Sequence, residues 1–279
     1  MATLAGIREQ AQEMPGLVAG WREANAILAL AARDFLKLLR DPARMVSTFV
    51  FPLIFIGVLG TSMQANLGSA AGYNILVFTF TGVFAQTVYQ STTAGIVSLI
   101  DDRENDFSQE MFVSPISRYS IILGKILGET LVAFPQGVAI FLFALVIGVP
   151  LSWAQVGGLA VVGFISALYG GAFGVMLLSL VTNRRAADQI FTFLLLPQYF
   201  TAGIFAPIKV LPLYLEILSL LSPLRYAVDL ARGIFYWGQP EYGRIVLAAP
   251  LVNLGVIGVT LVVFIVIGTF LFVRSERNR

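Results

Sequence analysis

The sequence predicts an all-α, polytopic membrane protein with six transmembrane helices, and three observations carry that prediction. The chain of 279 residues is 57% hydrophobic and only 12% charged, whereas soluble domains run near ~25% charged. Its apolar residues gather in unbroken blocks of about twenty or more, enough to cross a ~30 Å hydrocarbon layer at about 1.5 Å per residue. Its Lys and Arg residues sit mainly in alternate connections between those blocks. Strands crossing lipid need alternating polarity and a closed barrel, so continuous apolar runs read as helices.

The elements follow in order. Residues 24–44 are amphipathic: Arg33, Lys37, Arg40 and Arg44 recur at spacings of four, three and four, opposite Leu28, Ala31, Phe35, Leu38 and Leu39. A basic stripe facing a Leu/Phe face suits a helix lying among lipid headgroups, and a helix packed on a partner protein is the alternative. The six spans are predicted at about 45–63, 75–100, 120–149, 156–181, 190–208 and 245–273. Pro52 lies inside the first and Pro197 inside the fifth, while Glu129 lies close enough to one end of the third to reach the interface. The first long apolar run starts only near Met45, after a charged segment, so a cleaved signal peptide is not expected.

Fourteen of the eighteen basic residues lie in the N-terminal segment, around the start of span three, after span four and in the tail. The opposite connections hold four, Lys209, Arg225, Arg232 and Arg244, all in the stretch 209–244. The positive-inside rule therefore places both termini in the cytoplasm. The stretch 209–244 is too apolar for a watery loop. Tyr214, Tyr226, Phe235, Tyr236 and Trp237 suit an interfacial aromatic belt, and Arg225, Asp229 and Arg232 are spaced to pair along one helix face.

Several chemistries are excluded by what the chain lacks. It has no Cys and no His, which removes disulfides, thiolate metal sites and the commonest general base. The phosphate-binding loop needs Gly-x4-Gly-Lys-Ser/Thr. The only Gly-Lys pair, Gly124-Lys125, is followed by Ile126 and preceded by Tyr119 where the first Gly belongs. If ATP drives this protein, another chain must hydrolyse it.

The cytoplasmic stretch 101–118 is the most charged part of the chain and carries Phe107, Met111 and Phe112 among its charges. A loop needing only solubility has no use for such residues, so they point to docking. Pro115 forces a turn after a short helix. From Asp101-Asp102-Arg103-Glu104 through Ser114-Pro115-Ile116-Ser117-Arg118 to Leu123-Gly124-Lys125, this stretch resembles the permease subunits of ABC type-2 transporters. So does the stretch from Ala202-Gly203-Ile204-Phe205-Ala206-Pro207 to Ser222-Pro223-Leu224-Arg225-Tyr226. The two motifs stand in the family's order on opposite sides of the membrane.

The resemblance implies one transmembrane domain over 24–279, with 1–23 an N-terminal segment outside it. It implies an exporter of a prokaryotic cytoplasmic (inner) membrane that carries a lipidic or amphipathic cargo, such as a lipid, a drug-like compound or a lipid-linked polysaccharide. The chain itself would bind no cofactor and catalyse nothing; ATP and Mg would be held by a separate ATPase subunit, present in two copies. The resemblance further implies a second permease copy or a paralogue, contact with membrane lipids, and no nucleic acid. Residues 101–118 become a coupling helix docked on the ATPase through Arg103, Glu104, Phe107, Glu110, Met111, Pro115, Ser117 and Arg118. Residues 209–244 become short helices that dip into, or lie on, the outer leaflet.

Within the spans, Thr79, Gly82, Gln86, Gln90 and Thr93 form a polar stripe, joined by Gln136 after Pro135 and Gln198 after Pro197. Gln86, Gln90, Thr93, Gln136 and Gln198 could line a route for an amphipathic substrate, or could make the interhelical hydrogen bonds that hold a bundle together. Gly124…Gly128 and Gly170…Gly174 read as close helix packing. No carboxylate or His sits near the centre of a span, so an ion-coupled secondary carrier is the weaker alternative, as is a membrane anchor for another complex.

Overall fold

The computed structural model describes residues 15–40, 42–100, 117–181 and 183–277. Among the described residues every regular element is helical. We number the helices α1 (Pro15–Leu39), α2 (Pro42–Leu53), α3 (Thr61–Ala71), α4 (Ile75–Gly95), α5 (Arg118–Val146), α6 (Trp153–Leu178), α7 (Arg184–Thr201), α8 (Leu213–Leu220), α9 (Pro223–Phe235), α10 (Tyr242–Ile245) and α11 (Pro250–Arg277). A π-helical stretch, Ile54–Gly60, follows Pro52 and joins α2 to α3. Proline removes a backbone donor there, and the wider turn is a common response to an interrupted ladder.

Four segments are long and apolar enough to cross a membrane: Phe49–Ala71, Tyr119–Val146, Trp153–Leu178 and Tyr242–Leu271. They correspond to predicted spans one, three, four and six. The other two predicted spans are helices of a different kind. Helix α4 is buried on nearly every face, so its Thr and Gln residues meet protein rather than lipid and dilute its apolar character. Helix α7 starts six residues before the predicted span, because the Asn183 side chain accepts from the Ala186 N–H at 2.8 Å and caps it. Its first turns carry Arg184, Arg185 and Asp188, and it ends at Thr201, short of the predicted 208.

The core is built around α4. On one side α6 approaches so closely that a methyl group at Gly170 would lie 2.1 Å from Tyr89 O, and one at Gly174 would lie 2.8 Å from Thr93 O. Tyr89 packs edge-on to Tyr169 and beside Phe173, and Phe264 of α11 stacks on Tyr169 with ring centres 5.9 Å apart. Helix α1 lies against α5 in the same way: a methyl at Gly124 or Gly128 would sit 3.1 Å from the Cα atoms of Ile27 and Ala31 respectively. Both small-x3-small pairs therefore do what their spacing predicts, letting backbones approach.

Four expectations need correction. The basic stripe of 24–44 does not lie on one helix. Helix α1 stops at Leu39, a new helix begins at Pro42, a residue type that favours a helix's first position, and Arg44 belongs to the first turn of that helix, α2. The apolar face of α1 is also divided: Ala31 and Leu38 are buried, whereas Leu28 and Leu39 are exposed. Asp229 does not pair along α9. Its carboxylate accepts from the backbone N–H groups of Leu247 and Ala248 at 2.8 and 2.9 Å and from Asn253 Nδ2 at 2.8 Å. Backbone donors at the approach to α11 lack helical partners and claim the carboxylate. Arg225 turns instead to the Ser219 hydroxyl. Of the residues expected in an aromatic belt, Tyr214 and Trp237 are exposed, while Phe235 and Tyr236 are buried.

Candidate functional site

Two polar constellations stand out in an otherwise apolar bundle. The first lies where α1 meets α5. Lys125 Nζ is 2.7 Å from Asp34 Oδ2 and 2.8 Å from Glu129 Oε1, and all three side chains are buried. Arg33 adds a second positive charge, with Nη2 2.9 Å from Asp34 Oδ1. A lone charge here would be expensive, and mutual pairing removes most of that cost. Glu129 thus does not reach an interface as its position suggested. It is 2% exposed and lies against Gly95, where a methyl group would sit 1.9 Å from its Oε2. The cluster therefore fastens α1, α5 and the end of α4 into one joint. Ser117 caps α5 by accepting from Ser120 N at 3.1 Å, and its own N–H donates to Glu23 Oε1 at 2.9 Å. Bonds from Ser120 and from the Ser117 backbone hold the Glu23 carboxyl below the usual carboxylate range.

This joint is where the predicted coupling segment enters α5. Arg103, Glu104, Phe107, Glu110, Met111 and Pro115 lie outside the described residues. Arg118 is the first residue of α5. Of the predicted interfacial set, Arg33 is half-buried on Asp34, whereas Lys37 and Arg40 are exposed.

The second constellation is the seam between α4 and α7. Gln86 Nε2 donates to Gln90 Oε1 at 2.8 Å, and the Tyr199 hydroxyl donates to the same oxygen. Gln198 is buried beside Tyr199 and donates to Leu194 O at 3.3 Å. Below them runs a cavity of about 300 Å³, from Gln90 and Tyr199 past Ala94, Phe191 and Leu195 to Arg184 and Asp188. Its wall is mixed: Ala94, Val97, Phe191, Leu195 and Leu196 give it an apolar stretch, with amide and phenol groups at one end and an ion pair (Arg184 Nε to Asp188 Oδ2, 3.1 Å) at the other. Amide oxygens of Gln86 and Gln198 are buried with no hydrogen-bond partner among the described residues.

The predicted route residues therefore separate. Gln86, Gln90 and Gln198 come together at this seam. Thr93 does not: its hydroxyl lies 2.9 Å from Gly170 O, facing α6. Gln136 is buried on α5, and its amide oxygen too has no partner among the described residues. Tyr199 was missed, although a Tyr beside a Pro-Gln pair inside an apolar run is a readable signal. Lys125 and Glu129, opposite charges four residues apart in such a run, were likewise readable as a pair. Asp34 was not, since its partner is 91 residues away.

The described residues thus form a helical bundle with four segments long and apolar enough to cross a membrane and a polar-ended cavity between two of its helices. The sequence profile described as ABC-2 type transporter matches residues 25–236, and the chain belongs to that family. The chain is 25% identical over 278 residues to the transport permease ycf38 of Cyanophora paradoxa, covering 96% of this chain and 94% of that protein. It is 27% identical over 261 residues to the ycf38 permease of Porphyra purpurea, covering 85% and 87%. The multidrug ABC transporter permease YbhR of Escherichia coli strain K12 is 28% identical over 157 residues, 52% of this chain and 40% of that protein.

Proposed function

We propose that this chain is the permease subunit of an ATP-binding-cassette exporter that moves a lipidic or amphipathic substrate. In this reading α4 and α7 join the four apolar segments as spans two and five, and both termini face the cytoplasm. The membrane is a prokaryotic inner membrane. The observation that carries the reading is the cavity between α4 and α7, with an apolar stretch of wall between polar groups at its two ends. A molecule with a hydrocarbon part and a polar head matches that lining, since an ion alone would leave the apolar stretch unused. The mouth bearing Arg184 and Asp188 then faces the cytoplasm, where a substrate would enter.

Transport against a gradient needs an energy source, and the chain has no phosphate-binding loop. Two copies of a separate ATPase, holding ATP and Mg, supply it, beneath two copies of this permease or one copy and a paralogue. Residues 101–118 dock on the ATPase. The ion cluster Asp34–Lys125–Glu129 lies a few turns beyond and passes a displacement of that segment to α1 and α4 together, because all three are packed on one joint.

Affinity capture of the tagged protein from its native membrane in mild detergent, followed by mass spectrometry, tests the proposal. A soluble ATPase subunit is expected with the wild type and is expected to be lost with a Glu110→Lys, Arg118→Glu double variant. Recovery of no ATP-binding protein under any condition would refute it.

A further inference from the structure

The cavity between α4 and α7 ends at Gln90 and Tyr199, and what closes it beyond that point is specific. About two turns further along α4, past Gln86, is Gly82. A methyl group there would lie 3.1 Å from Ile204 O and 3.2 Å from Ile204 Cα, so the backbone after α7 rests directly on α4. Gly203 makes this possible: its φ of 72° is left-handed, which turns the chain back across the seam. Phe205 secures the same segment from the other side, stacked on Phe55 of the π-helical stretch with ring centres 5.1 Å apart.

Arg232 of α9 completes the closure. Its guanidinium carbon sits 3.6 Å above the centre of the Phe78 ring on α4, and Nη2 donates to Ile204 O at 3.3 Å. The same nitrogen would lie 3.0 Å from a methyl group at Gly82. The side chain is 3% exposed. Its nearest acidic neighbour on the helix, Asp229, is occupied by Leu247, Ala248 and Asn253. Arg232 Nε has no partner among the described residues. A buried guanidinium placed for stability alone would be fully hydrogen-bonded, because unpaired buried donors are costly. This one is held by a ring face and one long bond to a backbone oxygen. That grip is enough to close the seam, and few bonds are broken when it lets go.

We propose that Arg232 is the positioning residue that holds the route shut beyond Gln90, by bridging Phe78 on α4 to the Ile204 carbonyl. The proposal rests on the seam being the transport route. Closing the route at one end while the other stays open is what a pump requires, since a seam open at both ends leaks. Opening then needs the 202–207 segment to lift off Gly82, and the Arg232–Ile204 bond is what resists it.

The chain has no Cys, so a single introduced thiol can report on the closure. Gln90→Cys is placed in the full-length protein in native membrane vesicles, right-side-out and inverted, and treated with a membrane-impermeant maleimide. With Arg232 present, labelling is expected from the face bearing Arg184 and not from the opposite face. Arg232→Met is expected to raise opposite-face labelling by about tenfold or more, the scale of losing one charge-assisted hydrogen bond. Arg232→Lys, which keeps a cation for the Phe78 ring, is expected to fall between. A folded Arg232→Met protein with wild-type protection would overturn the proposal. If Arg232→Met does not fold, Arg232→Lys decides: it keeps the charge but loses the planar guanidinium that reaches the Ile204 carbonyl, and wild-type protection there also overturns it. Absence of labelling from the Arg184 face in every variant is a different result, which removes the route itself.

Discussion

The two sides of α4 carry residues of similar type and do opposite things. Toward α6, Thr93 and the backbone of Tyr89 meet Gly170 and Gly174, and the helices touch. Toward α7, Gln86 and Gln90 meet Tyr199 and Gln198, and a cavity remains below them. A polar stripe is thus glue where the facing helix offers glycine and a lining where it offers large side chains. Polarity alone does not separate structural from functional positions in a membrane helix; the size of what faces them does.

Substitutions on the tight side are expected to act on folding. Gly170→Leu forces a side chain into the Tyr89 carbonyl, a backbone atom that cannot step aside. A loss of about 3 kcal/mol or more is expected, seen as little folded protein in fluorescence-detected gel filtration. The ion joint is expected to come next. Lys125→Met removes the cation that pairs with both Asp34 and Glu129, at a cost of roughly 3 kcal/mol. The triple variant Asp34→Asn, Lys125→Met, Glu129→Gln is expected to melt closer to wild type than Lys125→Met alone, since neither buried carboxylate remains and Arg33 is partly exposed to solvent. A triple variant that melts lower than the single one would break this account of the joint.

On the open side the order of effects reverses. Gln90→Leu with Tyr199→Phe removes the polar end of the cavity while keeping its bulk. The expected stability change is within about 1 kcal/mol. The expected loss is in substrate-stimulated ATP hydrolysis by the assembled complex. Thr93→Val sharpens the contrast from the tight side: it gives up one interhelical bond, worth about 0.6 kcal/mol, and leaves that stimulation unchanged.

How much of this was legible in the sequence follows from the same contrast. Long apolar runs announce α5, α6 and α11, because lipid imposes length and polarity directly on a sequence. The boundaries of α7 depended on a cap at Asn183 that stands just outside the apolar run. The glycine pairs were readable as close packing, but not which backbone each would meet. Gln86 and Gln90 were readable as one stripe with Thr93, and their separation into two roles was not, since that depends on α6 and α7 rather than on α4. Asp229 and Arg232 looked like partners by spacing. The turn at Leu247 and Ala248 took the carboxylate instead, a contact set by chain topology.

The central claim is that the α4–α7 seam receives the substrate. Gln90→p-benzoylphenylalanine can be installed in the native membrane beside a control at Val161, which is exposed on the outside of α6. Irradiation and mass spectrometry of the adducts then identify what each position touches. The account predicts an amphipathic molecule enriched at residue 90 over residue 161, and displaced when the partner ATPase is supplied with ATP. Recovery of the same bulk phospholipids at both positions would contradict it.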